Sequence, residues 1–364
     1  MSRKLRTAIL GCGKVAHLHA SALVTLDESN LVAVCDVNLE RAKAFATQYR
    51  AAAFNNLSEM IACAAVEVLV ICTPHPLHAT GATAAANAGV HVLVEKPLAS
   101  TVTDCDAMIE AARRNHVRLG VVSQRRYFEP VMRMKAAIDA GKIGTPVLGT
   151  VAMFSWRDEV YYRSDPWRGR WDTEGGGVLI NQSPHHLDIL QWLMGPVEEV
   201  VARWANLNHP YVEVEDTALA ILKFRSGGLA SITVSVSQKP GIYTKIHIHG
   251  SNGASVGAQT DSGATFIAGM SEVAEPPLND VWTIHGEEHL LDGYRNEDRD
   301  MFGRIDATAH FHLLQDRDFL RCIVDDREPA VPGSEGRKVV QIIEAIYRSG
   351  REGSPILLQS PHDG

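Results

Sequence analysis

The chain has 364 residues, 45% of them hydrophobic and 21% charged, and a formal net charge of -8. That length exceeds what one hydrophobic core ordinarily organises and predicts two domains. The acid excess, with no segment gathering unmatched Lys and Arg, argues against a nucleic-acid backbone as partner, and no run of about 18 apolar residues is present to span a membrane.

The opening MSRKLRTAILG has basic residues before an apolar stretch that is short and ends in glycines without a small-residue cleavage site. It reads as a first strand, and the protein is expected to be cytoplasmic. Six cysteines, at 12, 35, 63, 72, 105 and 322, show no CxxC spacing. Buried free thiols are expected, with neither disulfides nor a metal.

From residue 5 to about residue 122, strand-length apolar runs alternate with helical segments: LRTAIL, LVAVCD, VEVLVICTP, HVLVEKP and RLGVVSQ, with helices between. Such alternation predicts a parallel sheet covered by helices on both faces, as the near-continuous hydrophobicity of its strands requires. The first strand runs into GCGKVA, where Gly11 and Gly13 permit a tight turn and Lys14 and Val15 open the following helix. A pyrophosphate is expected on those helix-entry amides, and Asp36, closing the next strand about 20 residues on, is placed to bind ribose hydroxyls and repel a 2′-phosphate. The expected cofactor is therefore NAD.

Ligands of open parallel sheets gather at the carboxyl ends of strands. Thr73, Pro74, His75 and His78 follow one strand, Glu95 and Lys96 the next, and Gln124 the last. All seven are candidate cofactor contacts. For His75 and His78, helix-entry surface is an equal alternative. Lys96, held stiffly before a proline, is placed where the nicotinamide should lie.

Beyond Gln124 the pattern changes. EPVMRMKAAIDAGKIG reads as a helix ending at Gly141, and DTALAILKFRSGGLASITVSVSQ alternates around Ser226-Gly227-Gly228 as a hairpin. Antiparallel pairing means a second fold unit, so the domains are expected at 1–123 and 124–364. Between that helix and that hairpin in chain order lies WRDEVYYRSDPWRGRWDTEGGG, dense in aromatics and arginines. With Arg125, its Arg157, Tyr162 and Arg168 are candidate substrate contacts, because arginine forks recognise anions and aromatic faces suit sugars. A self-paired surface loop is the alternative. Ser183-Pro184 reads as N-cap and N1 of a helix whose Leu187, Leu190 and Leu193 form a packing face. Residues 272 to 305, rich in Pro, Asp, Glu and Gly, show little periodicity and are expected to cap the site or fill an interface.

GCGKVA with Asp36, the CTP run from Cys72 to His78, Glu95-Lys96-Pro97, and the GGG-x-L-x-N-x-x-x-H-x-x-D pattern from Gly175 to Asp188 together resemble the Gfo/Idh/MocA family of sugar and cyclitol dehydrogenases. The resemblance spans nearly the whole chain. It implies an α/β protein, with a Rossmann dinucleotide-binding domain followed by an α/β domain carrying a large, mostly antiparallel open sheet that is often used for dimer or tetramer assembly. It also implies that Trp167 and Arg168 approach cofactor and substrate. The chain departs from the family pattern in having Asn181 for an aspartate and Ser183 for a glycine, so position 181 has no proton to exchange.

Oxidising a secondary alcohol needs a base for the hydroxyl proton and a charge near the developing alkoxide. His185 and Lys96 are assigned these roles, with Asn181 orienting the hydroxyl and Asp188 holding the His185 tautomer. The expected reaction is NAD-dependent oxidation of a ring hydroxyl, at C3, of a pyranose or glycoside, including anionic sugars. A glycosidase that oxidises C3 transiently and returns the hydride is the alternative. A non-catalytic sugar and NAD sensor is the third reading.

Overall fold

The computed structural model describes residues 3–261 and 276–359. They fall into two units, one of Met1–Gln124 with Thr308–Val340, the other of Arg125–Ala307 with Gln341–Gly364. Residues 308–340, expected within the second domain, thus belong with the first. Their helical pattern carries no mark of which core they join.

In chain order the first unit runs β1 (Leu5–Leu10), α1 (Ala16–Thr25), β2 (Ser29–Cys35), α2 (Leu39–Tyr49), β3 (Ala52–Phe54), α3 (Leu57–Ala64), β4 (Val68–Ile71), α4 (His78–Asn87), β5 (His91–Val94), α5 (Val102–Arg114) and β6 (Leu119–Val121). The strands pair in parallel in the order β3-β2-β1-β4-β5-β6. β4 is buried at every position, as its unbroken VLVI run requires when helices cover both faces. The order reverses between β1 and β4, which places the loops after those strands at the switch point where such sheets bind ligands. The three-residue β3 and the short α3 have no sequence counterpart above, since Ala-Ala-Phe is too short to show a period. Cys12, Cys35, Cys72, Cys105 and Cys322 are buried free thiols, and Cys63 is a free thiol that is exposed.

The second unit contains α6 (Glu129–Asp139), β7 (Pro146–Phe154), α7 (Glu159–Arg163), α8 (Val178–Asn181), α9 (Pro184–Met194), β8 (Val197–Ala205), β9 (Thr217–Phe224), β10 (Leu229–Ser235), β11 (Tyr243–Gly250), β12 (Ser255–Gln259), β13 (Leu278–Trp282) and α10 (Leu290–Phe302). Then follow α11 (Ala307–Val324), α12 (Gly333–Glu352) and β14 (Ile356–Leu357). The eight strands take the order β13-β12-β11-β7-β10-β9-β8-β14, and β10 with β7 is the parallel pair among antiparallel ones. The hairpin at Ser226-Gly227-Gly228 joins β9 to β10, with Gly227 at φ 89°. The acid-rich stretch from 272 to 305, which shows little periodicity in the sequence, holds β13 and α10, and residues 272–275 of it lie outside the described residues. Among the described residues, no helix is long and apolar enough to cross a membrane.

α9 differs from the amphipathic helix its leucines suggest. Pro184 through Gln191 are all buried, as are Leu193 and Met194. Gly149 on β7 makes room for it, since a Cβ there would stand 2.9 Å from Leu190 Cδ1. A helix buried on so many sides must satisfy its polar side chains internally, which fixes what its histidines and Asp188 do.

Candidate active site

The glycine turn after β1 has two different spatial demands. Gly11 has φ 92°, and a Cβ on it would lie 2.8 Å from the Cys72 carbonyl carbon, so the close passage of the β1 and β4 loops requires glycine there. Gly13 has nothing within 4 Å of a Cβ position, which leaves open space before the first turn of α1. Lys14 is exposed and Val15 half-buried beside it. Asp36 is buried, and its carboxylate accepts from Cys12 N at 2.9 Å and Asn38 N at 2.8 Å. Arg41, exposed on α2, lies 3.5 Å from Asp36 Oδ2.

Two of the expected cofactor contacts present polar atoms that the protein itself leaves unused. Thr73 Oγ1 and Gln124 Oε1 are buried with no hydrogen-bond partner among the described residues. With the open Gly13 and the Asp36 carboxylate, they make this end of the sheet fit a dinucleotide. Pro74 is half-buried and His75 buried, its ring 5.8 Å edge-on to His78.

His78 and Glu95 face inward. His78 has no exposed surface, and its Nδ1 and Nε2 each lie 2.9 Å from a carbonyl, those of Pro97 and Thr73. Its ring therefore ties together the two strand-end loops instead of touching a ligand. Glu95 is buried too, and its Oε2 accepts from the Lys96 amide at 3.0 Å. Lys96 remains half-buried at the loop's edge, its backbone fixed on either side by these two groups.

In the second unit the candidate residues come together around Tyr161. Its hydroxyl receives Arg168 Nη1 at 2.5 Å, Gln182 Nε2 at 3.1 Å and Asn181 Nδ2 at 3.2 Å, and burial pushes its pKa up. The Arg168 guanidinium stacks 4.4 Å from the Tyr161 ring and 4.3 Å from Trp167, and pairs with Asp165 at 3.2 Å. Tyr162, named above as a contact, turns its ring away into His209, Tyr161 and Tyr211. In the one-turn helix α7, neighbouring residues necessarily point in different directions.

Asn181 also donates to Glu174 Oε1, and Glu174 is almost wholly buried. The sequence reading missed Glu174, although it directly precedes the glycine run. It explains the departure at position 181, because an aspartate there would oppose a buried carboxylate, whereas an amide donates to it. Accordingly Asn181→Asp is expected to lose about 1–3 kcal/mol of stability, with Glu174→Gln in the same chain restoring most of it; thermal melts of the single and double variants check this.

Ser183 sits at the start of α9 without capping it: its hydroxyl donates to the Leu179 carbonyl at 2.7 Å. The amide of Ser183 reaches back to Val178 O at 2.9 Å, so α8 and α9 follow one path with a bulge where Pro184 interrupts the bonding. Glu215 accepts the amides of Gly177 and Leu179 at 2.9 Å each and the Tyr347 hydroxyl at 2.9 Å, holding the entry of α8. Asp188, expected to orient His185, gives both oxygens to Arg126, at 2.7 and 2.5 Å. His186 Nε2 accepts from Arg125 Nη1 at 2.7 Å, which also donates to Thr260 O at 2.8 Å.

Arg125 and Arg157 bring two cations into this unit's interior. Burial lowers the Arg125 pKa, Asp261 opposes that, and the positive charge of Arg157 lowers it further. Arg157 is 9% exposed, donates from Nη1 to Trp156 O at 2.6 Å, and keeps a buried Nε with no partner among the described residues. Two cations that feel one another's charge, one of them with an unused buried donor, favour an anion.

Residues 5–123 match the "Oxidoreductase family, NAD-binding Rossmann fold" and residues 131–256 the "GFO/IDH/MocA C-terminal domain". The WlbA dehydrogenase from Bordetella pertussis, solved with NADH and UDP-GlcNAcA, is similar at 33% identity and TM-score 0.84, over 98% of this chain and 100% of that one. Its Chromobacterium counterpart, solved with the same two ligands, is 31% identical with TM-score 0.83, over 100% and 98% of the two chains. Myo-inositol 2-dehydrogenase of Thermotoga maritima is 26% identical over 98% of this chain and 99% of its own.

Proposed function

The chain belongs to the Gfo/Idh/MocA family of NAD-dependent oxidoreductases, and from that premise we propose that it oxidises the C3 hydroxyl of a pyranose carrying a carboxylate, linked to a nucleotide. The observation that carries the substrate class is the buried Arg157 guanidinium, whose Nε has no partner among the described residues and whose charge reaches Arg125. A carboxylate satisfies such a fork where a neutral cyclitol does not. The ligand of the Bordetella relative agrees with it in kind.

Bound NAD supplies the hydride acceptor. The hydroxyl proton is assigned to His185, and stabilisation of the alkoxide charge to the Lys96 ammonium. Asn181 orients the hydroxyl, and Trp167 with Arg168 lines the approach of the sugar. Thr73, Gln124 and Asp36 hold the dinucleotide. Gly13→Val is expected to change stability by less than about 0.5 kcal/mol, because the Cβ position is open, yet to weaken NAD binding more than about tenfold. Melting curves and calorimetric NAD titration of the same preparation measure both.

The test of the reaction is a panel of UDP-linked uronic acids, their neutral counterparts, free cyclitols and glycosides, incubated with NAD. NADH appearing with the uronic acids supports the reading. NADH only with neutral cyclitols overturns it, and sugar released without NADH assigns a redox-neutral glycosidase instead. Val201 on β8, Leu219 and Ile221 on β9 and Leu229 on β10 are exposed apolar residues of one sheet face, which supports a homodimer or homotetramer.

A further inference from the structure

Within the first unit lies a buried group of four ionisable side chains that the reaction does not use directly. His19 on α1 is fully buried, and His312 and Asp316 on α11 and Glu95 after β5 are nearly so. His19 Nδ1 meets the Asp316 carboxylate at 2.9 and 3.0 Å, and its Nε2 meets Glu95 Oε1 at 3.1 Å. His312 Nδ1 lies 2.6 Å from Thr308 O, and its Nε2 lies 3.4 Å from the same Glu95 oxygen. The two rings meet edge to face with centroids 5.3 Å apart.

The partners fix the protons. A carbonyl or an ionised carboxylate only accepts, so both Nδ1 atoms are donors. A neutral His19 would then aim a lone pair at a carboxylate oxygen, and only a second proton makes that contact attractive. Burial alone would lower the His19 pKa, but Asp316 and Glu95 reverse this and push it up to about 10. Burial alone would raise that of Glu95, and the two histidines hold it well below the ordinary range. Cys72 and His78 also face Glu95, the thiol pushed up by burial and His78 pushed down by it. The result is an imidazolium clamped between two carboxylates.

The far oxygen of Glu95 accepts the Lys96 amide at 3.0 Å, one residue from the side chain assigned to the alkoxide. We propose that His19, His312 and Asp316 are positioning residues for the reaction, acting through Glu95, whose carboxylate they hold against the Lys96 backbone so that the ammonium is presented in one place. This rests on the role given to Lys96 above. Small displacements of a reacting group cost about 10²-fold in rate, so so rigid an anchor has a use that packing alone does not require.

The same three atoms, His19 Nε2, His312 Nε2 and Glu95 Oε1, are spaced as metal ligands can be, and each Nδ1 is oriented as a ligating histidine's would be. The second proton on His19 accounts for its contact with Glu95 without an ion, and metal content therefore enters the test.

The experiment compares Glu95→Gln, Lys96→Met and the double variant, with Asp316→Asn as the milder route should Glu95→Gln fold poorly. Single-turnover NADH formation and the NAD dissociation constant are measured for each. Expected are a roughly 10- to 100-fold loss of rate in Glu95→Gln, NAD affinity within about threefold of wild type, and no further loss when Glu95→Gln is added to Lys96→Met. Asp316→Asn loses rate in the same sense. An unchanged rate in folded Glu95→Gln, a full additional loss in the Lys96→Met background, or one equivalent of zinc in the purified protein overturns the proposal while leaving the role of Lys96 intact. Normal turnover in Lys96→Met removes that role and the proposal with it.

Discussion

Lys96→Met will bind NAD and turn over roughly 10²- to 10⁴-fold more slowly than the parent chain. The separation of the two effects follows from where the residue stands. Its amide is held by Glu95 Oε2, and the carbonyl of the next residue, Pro97, faces His78 Nδ1 at 2.9 Å; both contacts belong to main-chain atoms that methionine keeps. The dinucleotide contacts assigned to Gly11, Gly13, Asp36, Thr73 and Gln124 lie on other loops. Methionine matches the aliphatic stem of lysine and removes only the charge, so what falls is stabilisation of the alkoxide. The reading is tested by kcat and NAD affinity on one preparation, with a rate within about tenfold of the parent as the result that sinks it. Lys96→Arg is informative beside it, since a planar fork in place of a compact ammonium keeps the charge and loses its geometry.

The parts legible in the sequence are those whose cause is local. A turn that needs φ above zero must show glycine, so Gly11 and Gly227 announce the β1 loop and the β9–β10 hairpin. A strand buried on both faces must be apolar throughout, as β4 is. What stayed hidden depends on chain segments far apart. His19 and Asp316 are 297 residues from one another, and no spacing rule relates them. Glu174 becomes meaningful only once Asn181 is seen to donate to it, and Tyr161 rather than Tyr162 faces that amide because a single helical turn decides between neighbours. The acid-rich stretch that holds β13 and α10 shows little periodicity for a related reason. Its charges have partners elsewhere in the same unit, with Asp298 paired to Arg133 at 2.7 Å and Lys245 to Asp280 at 2.9 Å, so polarity there marks built contacts that no local period shows.

The largest stability effect is expected at Arg126. Its guanidinium binds Asp188 with two parallel bonds of 2.7 and 2.5 Å, both side chains are 5% exposed, and the Trp192 ring lies 4.8 Å from its Cζ. Removing one partner of such a pair leaves the other charge buried without its counter-ion, so Arg126→Met should cost about 3–5 kcal/mol, read as a fall in Tm and in the urea midpoint. Removing both charges lifts that penalty, and Arg126→Met with Asp188→Leu should recover most of the loss; a single variant within about 1 kcal/mol of the parent would show that the pair is not as dry as its burial implies. The stable double variant also decides what Asp188 does for the reaction. The sequence places it one helical turn beyond His185, as a holder of the imidazole tautomer, whereas the structure gives its oxygens to Arg126. If the double variant is stable and active, Asp188 serves only to neutralise Arg126 inside a helix that has no solvent face to offer it. If it is stable and inactive with NAD affinity retained, the carboxylate acts on His185 as well, and the ion pair is the means by which one buried charge is kept available to a base three residues earlier in the same helix.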